Sequence, residues 1–206
     1  MHLLLIRHGQ TDDNARGVLQ GQTPTRLNAL GRQQAEALAS SLAGYEPRIE
    51  VLVSSDLPRA METAEPLARA LGLEIEQRPS WRERSFGPYE GRAIGEADTW
   101  RKATGTWDLP GAEPVEEFRA RILGAFDDML ERHGHRRTAA VVSHGAAINT
   151  VLRLMSEGII RLAEGAEPPD LSPLANCAVV QLQLDRGVTG AACWLAPTRL
   201  SPALQP

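Results

Sequence analysis

Lysine is almost absent from this chain: Lys102 is the single lysine among 22 basic residues. Genome composition is the ordinary account of that scarcity, yet it excludes two chemistries. A Walker-type phosphate loop needs a Gly-Lys-Ser/Thr triplet, and none occurs. Schiff-base catalysis would rest on Lys102, which lies in a polar stretch with nothing evident to desolvate it. Cysteine is scarce too. Cys177 and Cys193 are the only two, too few for a disulfide framework or a zinc cluster, so buried free thiols are expected. No apolar stretch reaches membrane-spanning length. The N-terminal apolar run is too short for a signal peptide and lacks a small-residue cleavage site, so a soluble, cytoplasmic protein is expected. Positive charge is not in excess either. The formal net charge is -4, which argues against a nucleic-acid or anionic-membrane partner. Any anion site must be a local concentration of arginine.

What the chain contains is ordinary for a globular protein. Its 206 residues, 42% hydrophobic and 23% charged, suit one domain over residues 1–206 around a single sizeable core. Leu3-Leu4-Leu5-Ile6 is an apolar run that stops at Arg7-His8-Gly9. A run of this length ending in a turn signal suits a strand buried on both faces, as in a parallel sheet. Ligands of open α/β sheets bind just beyond the carboxyl ends of such strands. Arg7 and His8 would stand there, with Gly9 letting the backbone turn or approach a ligand. Thr138-Ala139-Ala140-Val141-Val142 repeats the arrangement and ends in Ser143-His144-Gly145. Two strands delivering His-Gly to one sheet edge would bring His8 and His144 together.

The rest of the chain alternates. Residues 12–30 are polar and read as a long loop, a length that is usually functional. Asn28 is a candidate N-cap for a helix over residues 31–42, stopped by Gly44 and Pro47. Val51-Leu52-Val53 is the next buried strand. Asp56 can cap the helix that follows, with Pro58 in its first turn and its end near Leu71. Gly72 separates that helix from a strand over residues 73–76. Such alternation builds an α/β sheet. Residues 78–111 break the pattern, with Trp81, Phe86, Tyr89, Trp100 and Trp107 among charges and glycines. They look like an inserted cover rather than core. A helix over residues 114–132, the strand to Val142 and a helix over residues 146–155 follow. After a Pro-rich loop come two late strands, over residues 178–184 and 191–195, joined by a turn at Asp185-Arg186-Gly187. The tail from Pro197 is expected to be irregular.

Arg7, His8, Arg59, Glu83 and His144 all fall at expected strand or helix termini on one edge. Two guanidiniums and two imidazoles there suit a dianionic phosphoryl group. Arginine offers planar bidentate donors and keeps its charge, and Arg59 lies in the first turn of a helix whose N–H groups favour anions. Each residue has an ordinary reading by itself. The arginines suit surface ion pairs, Glu83 is one acid in a charged run, and His144 suits a satisfied turn. Taken together they read as an active site.

Arg7-His8-Gly9-Gln10-Thr11, followed by Asn14, resembles the Arg-His-Gly signature of the histidine phosphatase (phosphoglycerate mutase-like) superfamily. Ser54-Ser55-Asp56-Leu57-Pro58-Arg59-Ala60, with Thr63-Ala64 behind it, is similar to that family's second arginine motif. Trp81-Arg82-Glu83-Arg84-Ser85-Phe86-Gly87, then Glu90-Gly91, resembles the segment carrying the acidic residue. Pro110-Gly111-Ala112-Glu113 and Val142-Ser143-His144-Gly145 resemble the last two blocks. The five blocks run in the family's order over residues 1–152. The fold expected is α/β, a three-layer α/β/α sandwich around a mostly parallel sheet with one antiparallel edge strand.

The resemblance implies that His8 is the nucleophile and becomes a phosphohistidine. It implies Arg7, Arg59 and His144 as a clamp on the phosphoryl oxygens, with Asn14 and the Gly145 N–H as lesser donors. Glu83 would be the general acid for the leaving oxygen and then the base for water, and Gln20 and Gly21 would contact the substrate. No metal or other cofactor is implied, because the arginines compensate the charge. To attack, His8 must be neutral, with one ring N–H held by a hydrogen bond and the other nitrogen free. Glu83 must hold its proton near neutrality, which partial burial or an anionic ligand favours.

Two departures from the family bear on substrate choice. Members often show Asp-x-Pro-Leu-Thr where this chain reads Pro24-Thr25-Arg26-Leu27-Asn28, and Trp81 replaces an aliphatic residue. Residues 92–110 stand where the cofactor-dependent mutases carry a longer basic insert. A small, open cover favours water reaching the phosphohistidine, so the reading is a metal-independent phosphatase acting on a small phosphorylated metabolite. Trp100 and Trp107 are candidate apolar walls. Arg84, Arg92, Arg101 and Lys102 are candidate readers of a second acidic group. The rivals are a cofactor-dependent phosphoglycerate mutase, a metal hydrolase on His8, His144 and a carboxylate, and a non-catalytic phospho-ligand binder. Sugar phosphates, phosphoglycerate derivatives, nucleotide-pathway intermediates and a cofactor-biosynthesis phosphate fit equally. A homodimer is compatible with the sequence, which specifies none.

Overall fold

A computed structural model describes residues 1–186, 192–194 and 198–200, with side chains through residue 183. Five strands form the body of the sheet: β1 (His2–Arg7), β2 (Val51–Ser54), β3 (Ile75–Gln77), β4 (Thr138–Ser143) and β5 (Val179–Arg186). They lie in the order β3-β2-β4-β1-β5, the first four parallel and β5 antiparallel to β1. The short β6 (Ala192–Trp194) and β7 (Thr198–Leu200) pair antiparallel with β5. The α-helices among the described residues are α1 (Asp12–Arg16), α2 (Ala29–Leu42), α3 (Pro58–Leu71), α4 (Ile94–Thr104), α5 (Val115–His133) and α6 (Gly145–Ser156). The mixed, mostly parallel α/β sheet is as expected.

The apolar run of β1 explains the layering. Successive side chains of a strand point to opposite faces, and Leu3, Leu4, Leu5 and Ile6 are all fully buried. Leu3 and Leu5 join Phe118, Ile122 and Phe126 of α5 and Ile148 and Val151 of α6. Leu4 and Ile6 join Leu38 and Leu42 of α2 and Ala60, Ala64 and Leu67 of α3. Each such burial contributes on the order of 1.5–3 kcal/mol relative to exposure.

The same layering opens the site. After β1 the chain passes to α2 on one face; after the adjacent β4 it passes to α6 on the other. The backbones therefore diverge at the carboxyl ends of two neighbouring strands, leaving the crevice in which such sheets bind ligands. Arg7 and Ser143 are register partners, so His8 and His144 leave the sheet side by side.

Several expectations need correction. The loop expected over residues 12–30 contains α1, a five-residue helix closed by a reciprocal cap between Thr11 and Asn14 and by left-handed Gly17. A helix that short has too few turns for periodicity to announce it. Asp56 does not cap α3, which has Leu57 at that position and no side-chain cap; Asp56 binds the Arg82 guanidinium instead. The cover is partly core: Trp81 is 1% exposed and packs in the α5–α6 cluster. Its carbonyl accepts from the Ser143 hydroxyl at 2.7 Å, fixing the start of the cover to the end of β4. Within the tail expected to be irregular, residues 198–200 form β7. Cys177 is a buried free thiol. Asp185 and Arg186, expected in a turn, are the last residues of β5 and pair with Cys193 and Ala192; Gly187 and the side chain of Cys193 lie outside the described residues. No helix among the described residues is long and apolar enough to cross a membrane.

Candidate active site

His8 follows the last residue of β1 and is 3% exposed. Behind it Gly9 serves close packing: a Cβ there would lie 2.6 Å from the Gly31 carbonyl oxygen at the start of α2. His8 Nδ1 lies 2.7 Å from the Gly9 carbonyl oxygen. A carbonyl cannot donate, so the hydrogen-bond network assigns the proton to Nδ1. Nε2 keeps its lone pair and accepts from Arg59 Nε–H at 3.2 Å. Burial, then the charges of Arg59 and Arg7, hold the pKa well below the ordinary 6.5, so the resting imidazole is neutral. His144 stands beside it, ring centroids 5.1 Å apart and planes tilted by 60°. It is fully buried, with Nε2 2.8 Å from the Ser55 hydroxyl. Burial, then Arg59, His8 and Arg7, keep it neutral as well.

Arg59 projects from the first turn of α3 and is 1% exposed. Nη1 donates to the Thr23 carbonyl at 2.9 Å and the Thr25 hydroxyl at 3.2 Å, and Nη2 donates to the Gly21 carbonyl at 2.7 Å. Burial lowers its pKa to about 10 against the raising influence of Glu83 and Glu90, so the charge persists at neutral pH. Gln20 Oε1 accepts from the Thr11 and Thr25 hydroxyls. Glu90 accepts from Gln22 N, Thr23 Oγ1 and Phe86 N, fastening the same loop to the cover.

The facing wall is less filled. Arg7 Nη1 donates to the Leu174 carbonyl, while its Nε is buried without a partner among the described residues. Glu83 Oε1 accepts from Arg84 N at 2.9 Å and Oε2 from Ala146 N at 3.0 Å, in the first turn of α6. Arg121 donates to the carbonyls of Ser80, Arg82 and Glu83 and pairs with Glu113 at 2.8 Å. The Glu83 segment is thereby held at both carboxylate and backbone. Gly145 begins α6, so its N–H has no intrahelical acceptor. Asn14 Oδ1 is taken by Thr11 N and Asn176 Nδ2, which leaves its amide N–H groups to donate.

These side chains enclose a cavity of about 230 Å³. Arg7, His8, Arg59 and Glu83 line it, as do Asn14, Gln20, Gly21 and Gly145. His144 does not; it backs His8. Arg84, Arg92, Arg101 and Lys102 do not line it either, nor do Trp100, Trp107 or Arg26. Arg26 pairs with Glu62 instead. Sequence reasoning missed Asn149, which lines the cavity with its Oδ1 buried and unpartnered among the described residues. Its spacing of four from Gly145 puts both on one helix face, a signal that could have found it. It also missed Asn176, whose Nδ2 donates to the His8 carbonyl at 3.1 Å; no local signal marks a residue so distant in sequence. Among the described residues no group of three or more His, Cys, Asp or Glu side chains is placed to hold a metal ion.

A neutral, partnered imidazole between two guanidiniums and opposite a carboxylate, at the carboxyl edge of an α/β sheet, is the make-up of a phosphoryl-transfer enzyme working through histidine. The sequence pattern of the histidine phosphatase superfamily (branch 1) matches residues 3–195, and the chain belongs to that family. The chain is 32% identical over 210 residues to the probable phosphoglycerate mutase GpmB of Escherichia fergusonii, covering 96% of this chain and 92% of that one. A mycobacterial glucosyl-3-phosphoglycerate phosphatase, solved with VO3, superposes with a TM-score of 0.76 at 28% identity, covering 94% and 95% of the two chains. Phosphoglycerate mutase from Bacillus anthracis str. Sterne superposes with a TM-score of 0.74 at 25% identity, covering 88% and 87%.

Proposed function

We propose that this enzyme hydrolyses small phosphomonoesters, without a metal ion, through a phosphohistidine on His8. The observation that carries the reading is the state of His8: Nδ1 is protonated against the Gly9 carbonyl, and Nε2 keeps an unprotonated lone pair that accepts from Arg59 Nε–H, in a side chain that lines the cavity. In the first step Nε2 attacks phosphorus in line. The bond from phosphorus to the leaving oxygen breaks, and Glu83 gives that oxygen its proton. Arg7, Arg59, Asn14 and the Gly145 N–H, which line the cavity, stabilise the charge on the three transferred oxygens, the role such donors play in phosphoryl transfer, while His144 backs His8. The Nδ1–H bond to Gly9 disperses the positive charge that the ring gains. In the second step Glu83, now a carboxylate, takes a proton from water. The oxygen of that water attacks phosphorus, the P–Nε2 bond breaks, and inorganic phosphate leaves. Gln20 and Gly21 shape the substrate's surroundings.

The direct test is phosphate release from a panel of phosphomonoesters in chelator, with wild type and His8→Ala. Activity should survive chelator and fall at least ~10,000-fold in the variant. Loss of wild-type activity in chelator would sink the metal-free route. The likeness to a probable phosphoglycerate mutase favours a second reading, transfer to another phosphoglycerate after priming with a bisphosphoglycerate. Labelled phosphate trapped on His8 and passed to phosphoglycerate faster than to water would select that reading.

A further inference from the structure

The cavity has two kinds of lining. Charged and amide groups supply part of it, and Val18, Leu19, Phe86, Ile94, Pro173 and Leu174 supply much of the rest. Among the described residues Arg7 and Arg59 are the only cations lining it; Arg59 holds His8, Thr23 and Gly21, and Arg7 donates to the Leu174 carbonyl and keeps its Nε for the phosphate. The cations of the cover are held elsewhere. Arg84 is 4% exposed and donates to the carbonyls of Trp107 and Glu113. Arg92 pairs with Glu96 at 3.4 Å and lies over the Tyr89 ring. Arg101 and Lys102 share Asp98. The remaining charged group of the lining, Glu83, is an acid.

A phosphate on His8 therefore has cations, but a second anionic group on the same substrate has none. It would lose hydration against apolar side chains without a compensating partner and would face the Glu83 carboxylate. An apolar leaving group gains from the same surface. We propose that the site takes phosphomonoesters whose leaving alcohol is uncharged and presents an apolar face, and that it rejects esters carrying a second carboxylate or phosphate. The inference rests on the phosphatase reading above. It also sets this chain apart from what its relatives' names suggest, since a phosphoglycerate carries a carboxylate beside its phosphate.

Phenyl phosphate and 4-carboxyphenyl phosphate test it, assayed with wild type, His8→Ala and Ile94→Arg. The carboxylate makes the phenol a slightly better leaving group, so a preference for phenyl phosphate reports the pocket rather than the chemistry. Wild type should prefer phenyl phosphate by ~10-fold or more in kcat/KM, a ratio of the size that pocket polarity sets. Ile94 is 46% exposed, so an arginine fits there, and it should narrow the ratio by a similar factor. His8-dependent hydrolysis with the carboxylated ester equal or preferred overturns the proposal alone. An unchanged ratio in Ile94→Arg overturns the part assigned to the apolar lining. Absence of His8-dependent hydrolysis of either ester overturns the phosphatase reading, and this proposal with it.

Discussion

The two walls of the cavity are built in opposite ways. On the Arg59 wall the guanidinium donates to His8, Gly21, Thr23 and Thr25, and the loop it holds is fastened again by Glu90. On the Arg7 wall, Arg7 Nε and Asn149 Oδ1 are buried without partners among the described residues. An unmade bond at a buried polar atom costs about 1–3 kcal/mol, and a phosphoryl oxygen meeting Arg7 would relieve it. One arginine has most of its donors committed to holding His8 and the loop beside it. The other is left open toward the substrate. Two residues that look alike in sequence thus divide the work.

Substitutions on the two walls separate these roles. The largest effect is expected at Glu83, whose conversion to Gln should lower kcat by ~10²–10⁴-fold, the usual contribution of a general acid–base group. Its folding should be little changed, because an amide oxygen can still accept from Arg84 N or Ala146 N; equal kcat in the variant would remove Glu83 from the proton path. Arg7→Met is expected to cut kcat/KM by ~10²–10³-fold, the range seen for one lost oxyanion donor, with a small change in Tm. Arg59→Met should instead lower both activity and stability, the latter by about 2–4 kcal/mol, because the Gly21 and Thr23 carbonyls lose their donor. Denaturant unfolding of the pair measures the difference, and equal stabilities would erase the contrast between the walls.

The histidines between the walls make a smaller, pH-dependent prediction. His8 and His144 have pKa values held well below 6.5 in the fold, so as pH falls through 6.5 the unfolded chain takes up protons that the fold excludes. Their contribution is therefore present above that pH and lost below it, at about 1.4 kcal/mol per pH unit for each histidine. Urea midpoints from pH 7.5 to 5 should fall, and His8→Asn should flatten the slope; an unchanged slope would mean that His8 is protonated in the fold. The smallest effect concerns Cys177, whose thiol burial pushes up to about 12. Alkylation at pH 8 should be slow until the chain unfolds, and rapid labelling of the native thiol would contradict its burial.

Much of this was legible because it is local. The run Leu3–Ile6 fills both faces of a strand, so its burial needs no knowledge of what covers it. Asn28 caps α2 and Gly72 closes α3 in the left-handed conformation, both through contacts within one turn. Strand-end His8 and His144 were findable because α/β sheets bind ligands at that edge. What failed was decided at a distance. Asp56 has the chemistry of a cap, but Arg82 outcompetes a role that Leu57 and Pro58 leave unfilled. Trp81 sits among charges in sequence and in the core in space, because its segment folds back beneath α5. Arg84 looks free in sequence, yet it meets the carbonyls of Trp107 and Glu113; Arg92 and Arg101 are the local exceptions, taken by Glu96 and Asp98 one turn away.

The alternation of the main strands and helices, the two strand-end histidines and the local concentration of arginine were determined by the sequence itself. They follow from apolar periodicity, caps and side-chain chemistry, which act over a few residues. Which arginine stays open, which polar atoms lack partners and what faces the leaving group were decided only by the tertiary structure. Each depends on segments far apart in the chain, such as Arg7 with Leu174 or Arg59 with Gly21, meeting where low polarity makes every unpaired donor or charge count.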